Sequence, residues 1–176
     1  GDEGIPAVII RDAPVALTEA DGPIPTIPPQ ECMYIGALRS GPKPYTGGYD
    51  GLIEKAKEAM KNAYAPYSGF KVGAALLSRS GKVYFAGNIE NAASGAGICA
   101  ERAAMAAAIA RGEKDFEAIA VVGNADEPVS PCGICRQSLM EFGKDILVIM
   151  ANLKGDAATA TVSDLLPRAF TERCLK

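Results

Sequence analysis

The chain has 176 residues, 48% of them hydrophobic and 22% charged, with a net charge of −3 and a pI near 5.1. That is length enough for one buried core, in neither a membrane-type nor a disordered composition, and the acidic balance offers no footprint for gripping a phosphate backbone, so a small-molecule partner is expected rather than nucleic acid or a membrane. The complete absence of histidine excludes Ser-His and Cys-His nucleophile systems and imidazole-based zinc sites, leaving acid–base work to carboxylates, lysine, tyrosine or metal-bound water.

Residues 1–48 hold eight of the twelve prolines, including Pro23, Pro25, Pro28 and Pro29, and no helical or strand period survives there. They are expected to form an extended or disordered arm, either a solvated tail or a segment docked on a neighbouring subunit. The apolar run Ala7-Val8-Ile9-Ile10 is too short for a signal-peptide core or a membrane span. Five cysteines, Cys32, Cys99, Cys132, Cys135 and Cys174, are an odd number, and no signal peptide is expected. A reducing cytoplasm fits them better than a secreted disulfide framework.

The catalytic domain is expected over 49–176. Asp50 reads as the N-cap of an amphipathic helix carrying Leu52, Ile53, Ala56, Ala59, Met60 and Ala63 on one face, which Pro66, Ser68 and Gly69 end. Residues 72–77 read as a buried strand, Ser80-Gly81 as a turn and 82–88 as the returning antiparallel strand. After a small, glycine-rich loop over 91–97, the alanine-dense run 99–111 predicts a helix with Gly112 as its C-cap. Residues 118–123 form the next buried strand, 132–142 a helix closed by Gly143, and 146–150 another core strand. Residues 155–162 predict a hairpin or short strand, and Ser163-Asp164 a cap for a brief helix that Pro167 stops. Alternating strands and helices predict an α/β fold, a three-layer α/β/α sandwich around a mixed sheet of roughly five strands.

The chemistry concentrates in three thiols and one carboxylate. Cys99, Cys132 and Cys135 can supply three zinc ligands, the number that leaves a catalytic ion an open position. Glu101, two residues from Cys99, cannot easily turn back onto the same ion but can reach a water there. Taken alone, Cys132-x-x-Cys135 fits a redox pair or part of a structural zinc knot as well as it fits a catalytic site. Three thiolates on Zn²⁺ leave a charge of about −1 by simple counting, so Arg102 and Arg136 are expected to donate hydrogen bonds to the sulfurs.

Several stretches agree in order and spacing: Ala65-Pro66-Tyr67-Ser68-x-Phe70-x-Val72-Gly73-Ala74-Ala75, Asn88-x-Glu90-Asn91, Cys99-Ala-Glu101-Arg102, Ser130-Pro131-Cys132-Gly133-Ile134-Cys135-Arg136-Gln137 and Leu165-Leu166-Pro167-x-x-Phe170. Together they resemble the small homotetrameric cytidine deaminases of pyrimidine salvage, over roughly residues 50–170. The resemblance implies zinc on Cys99, Cys132 and Cys135, with Glu101 carrying a proton from the attacking water to N3 of cytosine and helping ammonia leave. It further implies that Asn88 and Glu90 bind the ribose hydroxyls, Phe70 packs beside the base, the Ala100 backbone contacts the base edge, and Phe170 reaches a neighbouring subunit's site. Ser94 stands where the family commonly has tyrosine, which bears on a sugar contact and not on the metal. By side-chain type alone, Asn88 and Glu90 also fit turn and surface roles, and Phe70 and Phe170 fit core packing. Two other readings are a deaminase of the same fold acting on another base or aminonucleoside, and a non-catalytic domain in which a fourth ligand closes the zinc site.

Overall fold

Val72 opens an apolar run that becomes the strand on which the rest is assembled in the computed structural model, which describes residues 43–44 and 49–175. In chain order the elements are β1 (Lys43–Pro44), α1 (Asp50–Lys61), β2 (Val72–Ser78), β3 (Val83–Gly87), α2 (Ala100–Ile109), β4 (Phe116–Gly123), α3 (Gly133–Met140), β5 (Leu147–Ala151), β6 (Ala157–Thr161) and α4 (Val162–Leu165). Short 3₁₀ turns cover Ser94–Ala96 and Glu172–Leu175. Strands β2 to β6 are the expected five, in one mixed sheet ordered β1-β6-β5-β4-β2-β3. The addition is β1, two residues of the proline-rich stretch, which pair antiparallel with Ala158 and Thr159 of β6. The rest of the expected arm, including the Ala7–Ile10 run and Cys32, lies outside the described residues.

The two faces of the sheet follow from side-chain alternation along each strand. Val72, Ala74 and Leu76 of β2, Ile119 and Val121 of β4, and Val148 and Met150 of β5 pack with Ala100, Ala104, Met105 and Ala108 of α2 and Leu139 of α3. The intervening residues, Ala75, Ala118, Ala120, Val122, Ile149 and Ala151, pack with Leu52, Ile53 and Ala56 of α1 on the other face. These are the three expected layers. β4 and β5 are parallel and therefore need a crossover, and α3 lies within that connection. It consequently shares a face with α2, which brings the two helices that begin at cysteines to the same side.

α1 lies directly on the backbone of the β2–β3 hairpin. Gly73 and Gly87 face each other in register, and a Cβ at Gly73 would lie 2.0 Å from the Ala56 carbonyl oxygen, while one at Gly87 would lie 2.8 Å from the Ala63 Cα. Only glycine fits at this cross-strand pair. On the opposite face Phe116 and Phe142 meet edge-to-face, with ring centroids 5.3 Å apart, an arrangement that contributes about 0.5–1.5 kcal/mol beyond its buried area.

Three predicted caps move. The C-cap of α2 is Ala110, and Gly112, expected there, lies two residues on with a φ of 86°. Asp50 is the first residue of α1, not its cap; the N-cap is Tyr49, with no capping side chain, and its carbonyl accepts from Leu52 and Ile53 N–H. At α4 the cap is Thr161, whose hydroxyl accepts from Asp164 N–H while the Asp164 carboxylate accepts from Thr161 N–H. Ser163-Asp164 therefore lies inside the helix, with Asp164 completing a capping box one turn along.

Candidate metal and active site

Both cysteine-bearing helices present thiols at their N-termini. Cys99 is the N-cap of α2, Cys132 is the N-cap of α3, and Cys135 is buried in the first turn of α3. The Cys99 and Cys132 sulfurs are 3.7 Å apart, and all three sulfurs lie within 4.8 Å of one another. Zn–S bonds of about 2.3 Å in tetrahedral geometry put sulfurs about 3.8 Å apart, so the trio fits the ion. Among the described residues this metal-competent cluster holds three members, not four, and Cys174 stands apart as an exposed free thiol. Two helix dipoles point their positive ends at the sulfurs. The Cys99 thiol is pulled down to about 5, chiefly by the hydrogen bond from Cys135, with Cys132 and Arg102 acting in the same direction. The same bond, with burial, pushes the donating Cys135 thiol up.

Glu101, in the first turn of α2, is only 3% exposed. Burial pushes its carboxyl up, and the charge of Cys99 adds to the effect. Such a carboxyl exchanges protons closer to neutrality than an exposed one. Arg102 lies beside the same sulfurs. Burial alone would lower its pKa, but the hydrogen bond to Cys99, then the charges of Cys99 and Cys135 and the hydrogen bond to Cys135, outweigh that and raise it. Its Nη2 donates to the Gly97 carbonyl at 3.4 Å, and its buried Nε has no hydrogen-bond partner.

Arg136 departs from expectation. Its Nε donates to the Pro131 carbonyl at 2.7 Å, Nη1 to the Leu165 carbonyl at 3.0 Å and Nη2 to Ser130 Oγ at 2.8 Å. All three bonds go to oxygen and none to sulfur. The side chain folds back past the start of α3, because the oxygens on either side of it accept all three edges of the guanidinium fork.

The segment Asn88-Ile89-Glu90 reaches this centre through short bridges. Ile89 exchanges both backbone hydrogen bonds with Ile98 at 2.9 Å, immediately before Cys99, while Tyr64 N–H donates to the Asn88 carbonyl and Glu90 N–H to the Tyr64 carbonyl. The side chains of this segment hold the Phe70 loop. Asn88 Oδ1 accepts from Val72 N–H and its Nδ2 donates to the Phe70 carbonyl. The Glu90 carboxylate accepts from Tyr67 N–H, Ser68 N–H and Ser68 Oγ. The Ser68 hydroxyl, then these backbone groups, hold the Glu90 carboxyl below the usual range. Asn124, just beyond β4, completes the grip by accepting from Lys71 N–H and donating to the Gly69 carbonyl. Phe70 is 42% exposed, its ring tip passing close over Gly123. Phe170 is 58% exposed, and its carbonyl accepts from Gln137 Nε2 at 2.8 Å. Ala100, fully buried, is the first residue of α2, so its N–H has no acceptor within the helix.

Sequence reasoning missed Asn124, Ser68, Ser130 and Gln137 as supports of these residues. An asparagine at a strand end is a turn signal, which pointed to Asn124 without indicating what it would hold. The links from Gln137 to Phe170 and from Ser130 to Arg136 have no local pattern.

The sequence profile of the cytidine and deoxycytidylate deaminase zinc-binding region matches residues 49–151, a span that contains all three cysteines and Glu101. The chain belongs to that family. A cytidine deaminase of Sporosarcina psychrophila is 48% identical over 125 residues, covering 70% of this chain and 92% of that protein. One from Halalkalibacterium halodurans is 50% identical over 121 residues, 68% of this chain and 92% of the relative. The crystal structure of cytidine deaminase from Burkholderia pseudomallei matches with a TM-score of 0.67 at 50% identity, covering 69% of this chain and 98% of that one. As a member of the family the chain is a zinc-binding deaminase, and its three-cysteine cluster is the group that can hold the ion.

Proposed function

We propose that the chain catalyses the hydrolytic deamination of cytidine and deoxycytidine to the corresponding uridines, with release of ammonia, in pyrimidine salvage. The observation that carries this reading is the placement of a buried Glu101 two residues along from a cysteine in a three-sulfur cluster with no fourth protein ligand among the described residues. Zinc held by Cys99, Cys132 and Cys135 would supply Lewis acidity that activates water for attack at C4. Glu101 takes a proton from that water and gives it to N3 of the base, then takes the remaining proton of the new C4 hydroxyl and gives it to the exocyclic nitrogen, so that the C4–N bond breaks, the C4 carbonyl forms and ammonia leaves; a raised carboxyl pKa suits this two-way transfer. Arg102, beside the sulfurs, offsets the surplus thiolate charge.

The remaining residues bind and orient. The first N–H of α2, at Ala100, meets the base edge, Phe70 packs beside the base, and Asn88 and Glu90 take the sugar hydroxyls. Asn88 Nδ2 carries two hydrogens, of which the Phe70 carbonyl takes one, and carboxylate oxygens accept more than one bond each. The charge of Glu90 disfavours a phosphate beside the sugar, which supports a nucleoside over a nucleotide. In this reading 49–176 is the catalytic domain and 1–48 an arm preceding it. The enzyme works as a cytoplasmic homotetramer with shared sites, supported by the exposure of Phe170 and of the apolar residues Tyr64, Tyr67, Ile89 and Ile134. No helix among the described residues is long and apolar enough to cross a membrane.

The ultraviolet absorbance of cytidine tests the reading. It should fall on addition of the protein, and a chelator should abolish the loss. Ammonia released from dCMP, guanine or a blasticidin-like aminonucleoside, with none from cytidine, would overturn the substrate assignment.

A further inference from the structure

Arg136 and Gln137 are consecutive, and they reach the two ends of one turn. Arg136 Nη1 donates to the Leu165 carbonyl, at the end of α4, where helix carbonyls lack acceptor-matched N–H groups. Gln137 Nε2 donates to the Phe170 carbonyl. Between these anchors the chain passes Pro167 and Arg168, whose φ of 58° makes it the one non-glycine residue with positive φ among the described residues. A left-handed residue with a side chain persists where its surroundings hold it. Here both anchors come from α3.

The other two bonds of Arg136 go the opposite way, to the Pro131 carbonyl and Ser130 Oγ. Pro131 is fully buried and immediately precedes Cys132, the N-cap whose side chain makes no capping bond of its own. The direction in which the chain enters α3, and hence where the Cys132 sulfur stands relative to Cys135, is therefore held by the same guanidinium that holds Leu165.

We propose that Arg136 and Gln137 form a clamp coupling the Cys132–Cys135 metal corner to the turn that presents Phe170, with Arg136 acting as a positioning residue for Cys132. This rests on the assignment of zinc to the three cysteines. Lysine keeps the charge of Arg136 but not the planar fork that serves three oxygens in two directions. Coupling gives Arg136 and Gln137 different signatures. Loss of Arg136 loosens both the metal corner and the turn, whereas loss of Gln137 loosens the turn alone.

The test compares zinc-loaded wild type with Arg136→Lys, Arg136→Gln and Gln137→Ala in two measurements: zinc release to excess EDTA, and amide hydrogen exchange over residues 166–171. Both Arg136 variants should release zinc about 10- to 100-fold faster, the usual effect of losing a group that orients a metal ligand, and should exchange faster over 166–171. Gln137→Ala should speed exchange there and release zinc at the wild-type rate. If Arg136→Gln does not fold, Arg136→Lys decides. Wild-type zinc release in the Arg136 variants overturns the clamp, as does fast release with unchanged exchange over 166–171. So does release from Gln137→Ala as fast as from the Arg136 variants. A wild-type chain that takes up no zinc would instead overturn the metal assignment beneath it.

Discussion

Glu90, proposed to bind the sugar, also holds the loop beside it. Its carboxylate holds Tyr67, Ser68 and, through them, the Phe70 loop, and the hydrogen bond from Ser68 is the first cause of its lowered pKa. A depressed folded-state pKa means that the ionised form is stabilised by folding. The contribution is present above the unfolded value of about 4.3 and is lost as pH falls through the lower folded value. Hydrogen exchange at Tyr67 and Ser68 should therefore stay slow on acidification until pH drops below the ordinary glutamate range. Glu90→Gln should loosen the loop already at neutral pH and raise KM; unchanged exchange in that variant would contradict the assignment. Of this arrangement the sequence showed the residue types but not their partners. Asn88 and Glu90 stood out from the motif spacing, while Asn124 closes the same loop from 53 positions away from Lys71, a distance over which no local pattern operates. Arg136 failed for the same reason. Its neighbour Cys135 suggested a sulfur contact, and the oxygens that captured it come partly from Leu165, 29 positions on.

At the scale of elements, periodicity and glycine carried most of the information. Alternation in β2, in β5 and in β4 from Ala118 onward divides two cores, and both cysteine helices begin where the apolar pattern and small residues placed them, because cap and first turn are local features. β1 could not be read this way. Two residues carry no period, and they gain strand character only by pairing with β6. The Gly73–Gly87 pair makes a sharp prediction about layering. A methyl group at Gly73 would meet α1 backbone atoms at 2.0 and 2.6 Å, contacts that no side-chain rotation relieves. Gly73→Ala should destabilise the fold by about 1–3 kcal/mol or more, the range for overpacking, measurable as a lower midpoint in urea. Gly51→Ala, with nothing within 4 Å of the added Cβ, is the control. Equal midpoints for the two variants would contradict the direct contact of α1 with the sheet.

The whole molecule joins one mixed sheet to a sulfur centre assembled from distant parts, Cys99 from one helix start and Cys132 and Cys135 from another, which the Phe70 and Phe170 segments are proposed to complete as a substrate site. The proposed tetramer predicts that sedimentation of the purified protein gives four times the 18.3 kDa chain mass. Truncation of Phe170 should raise KM without changing that mass. A monomer with full activity would contradict shared sites.

The central claim is that Glu101 moves protons while the three cysteines hold the metal, and it is tested most directly by measuring zinc content and cytidine turnover on the same preparations of wild type and Glu101→Ala. The expected result is one zinc per chain in both proteins, with kcat lower in the variant by about 10²–10⁴-fold or more, since two proton transfers depend on one carboxylate. A zinc-loaded Glu101→Ala enzyme with near-wild-type kcat would contradict it.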